Sequence, residues 1–181
     1  MSPAMDDLMH EHEALLHALE LLDAMGERLR HPERGSGVDP QDAAELVGFF
    51  RAFADQCHHG KEEGVLFPTL AQAGLSPPDG LETALLAEHE QGRQALQEMQ
   101  AHASEPGPAL ADAAGRYAAL MRRHIATENT RLLPWVDQAL PPPTLARMAQ
   151  AFESHETEVM GAGRHAQLHA LLDRLSGRYL G

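Results

Sequence analysis

Two short stretches of the sequence place a histidine and a glutamate four residues apart, ahead of a proline. Residues 58–68 read HHGKEEGVLFP and residues 124–134 read HIATENTRLLP, so both fit the pattern H-x-x-x-E-x-x-x-L-[FL]-P. On a helix, residues four apart lie one above the other on the same face. Imidazole and carboxylate groups placed in this way suit iron, manganese or zinc, whereas calcium prefers oxygen ligands alone.

The two stretches belong to a longer repeat. Residues 11–13 and 88–90 both read EHE, so EHE followed by H-x-x-x-E occurs twice, in the same order, along the chain. This repeat indicates a duplicated helix pair. Two facing helices with the histidine–glutamate spacing can hold two metal ions with both carboxylates between them.

The repeat also decides between neighbouring candidates. His58, and not His59, stands ten residues before its proline, as His124 does. The EHE match likewise favours His12 over His10. The candidate metal ligands are therefore four histidines and two glutamates: His12, His58, Glu62, His89, His124 and Glu128.

Clusters of glycine and proline divide the chain into segments of strong helix formers, and β-strand patterns are absent. Apolar residues recur every three or four positions within each segment, which is typical of an amphipathic helix. The candidate ligands continue this apolar line, so we expect them in the core of an all-α fold. The predicted helices cover about residues 5–30, 41–72, 79–103, 109–139 and 143–180.

Short connections between the first four helices indicate antiparallel neighbours. We expect an up-down-up-down four-helix bundle over about residues 5–140, with an additional C-terminal helix at about 143–180, in a single domain of residues 1–181. The sequence GAG at 161–163 leaves open whether the last helix is kinked or split there. A bundle core excludes an ionised glutamate unless its charge is paired or binds a metal, because desolvation is costly.

The composition limits the classes of function. The 181 residues include 27 acidic and 14 basic side chains, a formal net charge of −13, which argues against binding to the phosphate backbone of nucleic acids. Cys57 is the only cysteine, which excludes an internal disulfide and a four-cysteine zinc site, and we expect a packed thiol. No apolar run reaches the ~20 residues of a membrane span, and residues 1–8 lack a basic signal region. We expect a cytoplasmic monomer or homodimer with no nucleic-acid or membrane partner.

The sequence contains 12 histidines, and those outside the ligand set need a separate interpretation. Five are expected at the surface: His10, His17, His31, His59 and His102. Three others are favoured as surface or orienting residues, although their spacing leaves a second metal site open: His155, His165 and His169. The glutamates beside the EHE histidines point to other helix faces, so we do not expect them to orient the ligands. They are Glu11, Glu13, Glu88 and Glu90.

The ligand set resembles that of the hemerythrin-like family, the cation-binding HHE domains, over about residues 5–140. The resemblance implies a four-helix bundle that encloses a non-haem di-iron centre with a water-derived oxo or hydroxo bridge. The implied roles are terminal ligands of one iron (His12, His58), terminal ligands of the other (His89, His124) and bridges between them (Glu62, Glu128).

Two positions depart from the oxygen-carrying hemerythrins. Those proteins have a fifth histidine four residues after the third-helix ligand, where this chain has Arg93, and their fourth helix carries His-x4-Asp rather than His124-x3-Glu128. The four-histidine, two-glutamate set is similar to that of the iron–sulfur repair proteins of the family. Many of those carry a cysteine-bearing N-terminal domain, which we do not expect here because His12 lies near the start of the sequence. Oxygen transport is therefore not expected.

Three hypotheses for the function remain. The leading one is a di-iron protein that reacts with or senses O2, peroxide or nitric oxide, or handles iron, with manganese or zinc as alternative metals. Its partner would be such a diatomic or peroxide ligand at an open coordination position. The alternatives are a di-iron protein that donates iron for iron–sulfur cluster repair, and a metal-stabilised interaction module without turnover. Whether the protein is an enzyme stays open.

Overall fold

The computed structural model describes residues 1–34, 37–161 and 163–181, apart from the side chains of Arg34 and His165. The described residues form helices and connections without a β-strand, which confirms the all-α prediction. Each predicted helix boundary lies within two residues of the observed one. The helices are α1 (Pro3–Arg30), α2 (40–72), α3 (Leu81–His102), α4 (108–139), α5 (Pro142–Met160) and α6 (Arg164–Tyr179).

The C-terminal segment is two helices rather than the single additional helix that the sequence predicts. α5 ends at Met160 and α6 begins at Arg164. Gly161 and Gly163 have φ angles of 71° and 81°, a left-handed backbone that side chains other than glycine rarely adopt. The two glycines therefore allow the chain to leave one helix and start the next.

Four helices begin at a proline: Pro3, Pro40, Pro108 and Pro142 open α1, α2, α4 and α5. Proline suits the first helical position because the N–H that it lacks has no partner there in any residue. Three of them, Pro40, Pro108 and Pro142, lie in the glycine and proline clusters that divide the sequence into segments. The segmentation of the chain is thus a direct consequence of backbone chemistry.

α2 and α4 each contain a wide turn ahead of a proline. Residues Glu62–Leu66 and Glu128–Leu132 have i→i+5 backbone hydrogen bonds, and the N–H that follows each stretch donates to the carbonyl of its glutamate. Pro68 and Pro134 explain the widening, because proline has no N–H and its ring clashes with the carbonyl four residues earlier. A longer stretch of the same kind, Phe50–His59, precedes the first turn in α2. The sequence repeat is therefore also a repeat of backbone conformation.

Apolar side chains form two separate buried clusters. The Phe50 cluster includes Leu15, Leu19, Phe50, Phe53, Leu96 and Tyr117, with Leu172 and Leu175 of α6. The Phe152 cluster includes Met5, Leu8, Leu66, Leu85, Leu132 and Phe152. Each fully buried side chain of this size stabilises the fold by about 1.5–3 kcal/mol, which offsets the cost of a polar layer between the clusters.

The candidate ligands lie where α1 to α4 pass from one cluster to the other. α1 and α3 contribute first to the Phe152 cluster and then to the Phe50 cluster. α2 and α4 contribute in the reverse order. A polar layer therefore crosses the four helices, with apolar packing on both sides of it.

α5 and α6 cover α1 and α2. α5 approaches α2 closely at Gly60, where an added Cβ would lie 2.5 Å from Nε2 of His155. α6 is tied to α2 by Asp42, which is 1% exposed and accepts hydrogen bonds from Arg174, Arg178 and the Tyr179 hydroxyl. Among the described helices, none combines the length and the apolar character that crossing a membrane requires.

Candidate metal centre

The six predicted ligands come together in the polar layer. Each is at most 1% exposed, so water does not solvate the imidazoles or the carboxylates. Residues from α1, α2, α3 and α4 all contribute, in the pattern of one or two ligands per helix that the repeat predicts. The set is His12, His58, Glu62, His89, His124 and Glu128.

Each glutamate lies between two histidines of different helices. The Oε1 and Oε2 atoms of Glu128 are 3.0 Å from Nε2 of His124 and 3.1 Å from Nε2 of His12. Glu62 lies between His89, at 3.2 Å from Nε2, and His58, at 3.9 Å from Nε2. Each carboxylate thus spans from one member of the pair His12 and His58 to one member of the pair His89 and His124.

These short contacts lack the geometry of hydrogen bonds. Both oxygens of Glu62 and Glu128 and the Nε2 atoms of His89 and His124 have no hydrogen-bond partner among the described residues. A buried polar atom left unpaired costs about 1–3 kcal/mol, and a buried unpaired charge costs more. Donor atoms that converge without bonding one another fit a shared metal ion.

On one side of the centre, two ligand histidines are oriented by glutamates. Nδ1 of His58 donates to Oε2 of Glu11 at 2.7 Å, and Nδ1 of His124 donates to Oε2 of Glu88 at 2.9 Å. A ring whose Nδ1 carries the proton presents the lone pair of Nε2 to the interior. The hydrogen bonds therefore select the tautomer that binds a metal through Nε2.

The other two ligand histidines have the same arrangement. Nδ1 of His89 donates to Oε1 of Glu63 at 2.7 Å, and Nδ1 of His12 donates to Oδ1 of Asn129 at 2.6 Å. As a result, the Nε2 atoms of His12 and His58 face each other at 3.0 Å. Two ring nitrogens at this distance need a cation between them, either a proton that one ring donates to the other or a metal ion that both rings bind.

The four oxygen acceptors form a closed series around the bundle, which we call the orienting ring: Glu11, Glu63, Glu88 and Asn129. Each acceptor is adjacent in sequence to a ligand of its own helix, and each binds the histidine of the next helix. The series runs from α1 to α2, α3 and α4 and then back to α1. Each of the helices α1 to α4 therefore supplies at least one predicted ligand and orients the predicted ligand histidine of the next helix in the series.

The expectation that Glu11 and Glu88 do not orient the ligands is wrong. Both glutamates lie on a different helix face from the histidine that follows them in sequence, as expected. That face is turned towards the adjacent helix, where Glu11 meets His58 and Glu88 meets His124. Glu13 and Glu90 are exposed, as expected. Glu63 and Asn129 are missing from the sequence interpretation, although each directly follows a candidate bridging glutamate in the repeat.

The expectation that His59 lies at the surface is also wrong, since its side chain is 3% exposed. His59 is the last residue of Phe50–His59, which is wound as a π-helix and so has more residues per turn than an α-helix. Successive side chains there are separated by less than the 100° of an α-helix, so His58 and His59 both reach the interior.

The remaining histidines lie away from this centre where the structure describes them. His10, His102 and His169 are exposed, and His17 and His31 are partly exposed. His155 is half-buried, with Nε2 3.0 Å from the carbonyl oxygen of Gln56. The side chain of His165 is outside the described residues.

Cys57 is buried, and burial raises the pKa of its thiol to about 12, which keeps the thiol protonated.

A buried lysine, Lys61, contacts the carboxylate of Glu11, and the sequence pattern does not predict this contact. Nζ of Lys61 donates to Glu11 at 2.7 Å, to Asp7 at 2.8 Å and to Glu156 at 3.2 Å. Burial would raise the pKa of Glu11, but His58 and Lys61 outweigh burial and lower it to about 2. Glu11 is therefore a carboxylate and acts only as an acceptor for His58.

The carboxylates make the centre favourable for positive charge. Burial lowers the pKa of His124, but Glu128 outweighs burial and raises it to about 10. In the same way, Glu62 and Glu11 raise the pKa of His58 against the effect of burial. Burial raises the pKa of Glu128, but its contacts with His124 and His12 bring that pKa well below its usual value. The electrostatic field that favours these charges also favours a metal cation.

Comparison with known proteins agrees with this geometry. Residues 4–136 match the model of the hemerythrin HHE cation-binding domain. The chain belongs to this family. The matched range contains the six predicted ligands and the orienting ring, and the family resemblance seen in the sequence is confirmed. Family membership and the buried cluster together indicate a metal-binding domain.

Curated proteins also match most of the chain. The chain is 26% identical to uncharacterized proteins of Mycobacterium tuberculosis and Mycobacterium bovis, over 96% of its own length and 68% of theirs. No solved structure gives a significant match.

Proposed function

We propose that this HHE domain binds two iron ions and that the pair binds or reacts with O2, peroxide or nitric oxide. The observation that carries the proposal is the convergence of two groups of four donors that share the Glu62 carboxylate. His12, His58, Glu62 and Glu128 form one group, and Glu62 recurs in a second group with His89 and His124. Ligand atoms within each group lie within 4.8 Å of one another.

Each of the two ions would be bound by its own pair of histidines. His12 and His58 would bind one ion, and His89 and His124 the other, because these pairs lie on opposite sides of the carboxylates. Glu62 and Glu128 would contact both ions. Two carboxylates balance part of the charge of two divalent cations, which reduces the cost of placing them in an apolar core.

The donor set also suits manganese and zinc, so the choice of iron rests on the family. When bound, an iron pair supplies a change of oxidation state and open coordination positions for a small ligand. The protein supplies oriented imidazoles and a layer without bulk water. Since all six ligands are at most 1% exposed, the centre admits a diatomic molecule or peroxide far more readily than a metabolite.

We also propose that α1 to α4 form an up-down-up-down four-helix bundle. Its support is the alternating order in which α1 to α4 contribute to the Phe152 and Phe50 clusters, together with the short connections between them. We further propose that residues 1–181 act as one domain in the cytoplasm, with α5 and α6 packed on the bundle.

The test is to load the purified protein with iron without oxygen, measure metal content and record absorption spectra before and after O2, peroxide or nitric oxide. Two irons per chain and new charge-transfer bands are expected. Glu62→Gln and His89→Ala should lose iron, while the exposed controls Glu13→Gln and His10→Ala should keep it.

The same experiment separates the other hypotheses. A colourless protein that retains zinc, with no redox response and only a loss of stability on chelation, would favour a metal-stabilised interaction module. Iron that passes from the loaded protein to a damaged iron–sulfur enzyme would favour cluster repair. Normal iron content in both Glu62→Gln and His89→Ala would overturn the assignment of the ligands.

A further inference from the structure

One buried histidine remains outside the six predicted ligands. His59 is 3% exposed, and neither of its ring nitrogens has a hydrogen-bond partner among the described residues. An imidazole that is buried with no hydrogen-bond partner destabilises the fold, because its nitrogens lose their hydrogen bonds to water. Such a side chain in a polar layer needs a reason other than packing, since an apolar residue would fill the space without that cost.

The ring lies within the candidate metal centre. A ligand atom of His59 is within 4.8 Å of ligand atoms of Glu62, His89 and His124, and these four residues form the second group of donors. Its ring stacks on that of His89 with 3.9 Å between centroids, and it meets the His124 ring edge-on at 5.5 Å.

The carboxylate of Asp55, which lies on the Nδ1 side of the ring, does not hydrogen-bond it. Oδ1 of Asp55 is 3.7 Å from Nδ1 of His59, which is beyond hydrogen-bond range, and Arg93 donates to the same oxygen at 3.0 Å. Nδ1 of His59 nevertheless faces an oxygen, as Nδ1 of each predicted ligand histidine does. Nε2 lies on the opposite side of the ring.

We infer that His59 is a third histidine ligand of the metal ion bound by His89 and His124. The inference rests on the proposed metal centre. Nearly parallel rings cannot direct two lone pairs at one ion, so His59 must turn out of its stack on His89 when it binds. The centre then becomes asymmetric, with three histidines on one ion and two on the other.

The test compares His59→Phe with the unaltered protein, both loaded with iron. Phenylalanine keeps a flat ring of similar size in the stack but removes both nitrogens. We expect affinity for one of the two ions to fall by about tenfold or more, and the Mössbauer doublet of that ion to shift while the other doublet is unchanged. His10→Phe, at an exposed position, is the matched control and should bind both ions normally.

X-ray absorption on the unaltered protein tests the inference without a substitution. Five imidazoles per iron pair support it, and four overturn it. Two bound irons in His59→Phe with unchanged affinity and spectra would also overturn it, while the proposed function would stand. An unaltered protein that binds no metal would instead overturn the proposed function.

Discussion

Oδ1 of Asn129 accepts the proton of His12 Nδ1 at 2.6 Å, and Asn129 is the one member of the orienting ring that carries no charge. Glu63 has the corresponding place in the other half of the repeat. A carboxylate polarises an imidazole more strongly than an amide does, so His12 is the weakest electron donor of the four oriented histidines.

The neutral partner of His12 leads to a first prediction. Asn129→Asp should strengthen metal binding or leave it unchanged, because aspartate keeps an oxygen acceptor and adds charge. Asn129→Ala removes the acceptor and should weaken binding by about tenfold. Competition with a chelator measures both, with Thr130→Ala at the adjacent exposed position as the control. Equal affinities for all four proteins would show that Asn129 does not orient a ligand.

Lys61 supports a second prediction, on the stability of the metal-free protein. Lys61→Met leaves Glu11 buried without its cation and should lower the free energy of unfolding by about 3–5 kcal/mol. Adding Glu11→Gln removes the uncompensated charge and should restore much of this loss. Urea unfolding of the two variants measures the difference. If the double variant is no more stable than Lys61→Met, the loss comes from packing rather than from charge.

The contact between Gly60 and His155 gives a third prediction. Gly60→Ala places a methyl group 2.5 Å from Nε2 of His155 and should destabilise the protein by about 1–3 kcal/mol, because the side chain and α5 must move. Gly48→Ala is the matched control in the same helix, since nothing lies within 4 Å of its new Cβ. It should be neutral or stabilising by up to about 1 kcal/mol. Thermal unfolding should show opposite shifts, and equal shifts would refute the contact.

The link between α2 and α6 gives a fourth prediction, on pH dependence. Burial raises the pKa of Asp42, but hydrogen bonds from Arg174, Arg178 and Tyr179 outweigh burial and bring it below its usual value. A carboxylate with a depressed pKa stabilises the fold above its unfolded pKa, about 3.9, and this contribution is lost as the pH falls through the folded value.

Asp42→Asn should therefore cost about 1–2 kcal/mol at neutral pH, where both arginines are partly exposed, and progressively less below about pH 4. Unfolding measured from pH 7 downwards gives the difference between the two proteins. Asp23→Asn removes the exposed ion pair with Arg122 and serves as the control, with a small effect at every pH. A difference that stays constant with pH would exclude the charge of Asp42 as its cause.

The helices and the six-residue cluster follow from local rules that act within one helix. Proline and glycine set the boundaries, and the spacing of four places a histidine and a glutamate on one face. His59 escapes these rules because they assume the 100° step of an α-helix, whereas Phe50–His59 is more widely wound. A proline predicts a wide turn just before itself, but the sequence does not show how far such winding extends.

The orienting ring could not be found in this way for a different reason. Glu11 and Glu88 act on neighbouring helices, and their role depends on which helices are adjacent and how they are rotated. Spacing within one helix contains no information on that rotation. The repeat does contain a partial signal, because each acceptor directly precedes or follows a ligand, and this signal is readable once the order of the helices around the bundle is known.

The orienting ring also has a mechanical consequence. Since each ligand histidine is fixed by the neighbouring helix, and the series of contacts returns to its start, no helix of the four can slide or rotate against the next without turning an imidazole. The link operates in both directions, because coupling between two sites is reciprocal. A change in the position of an imidazole at the centre is transmitted to the packing of two helices, and a force applied to the outer face of one helix is felt at the metal ligands.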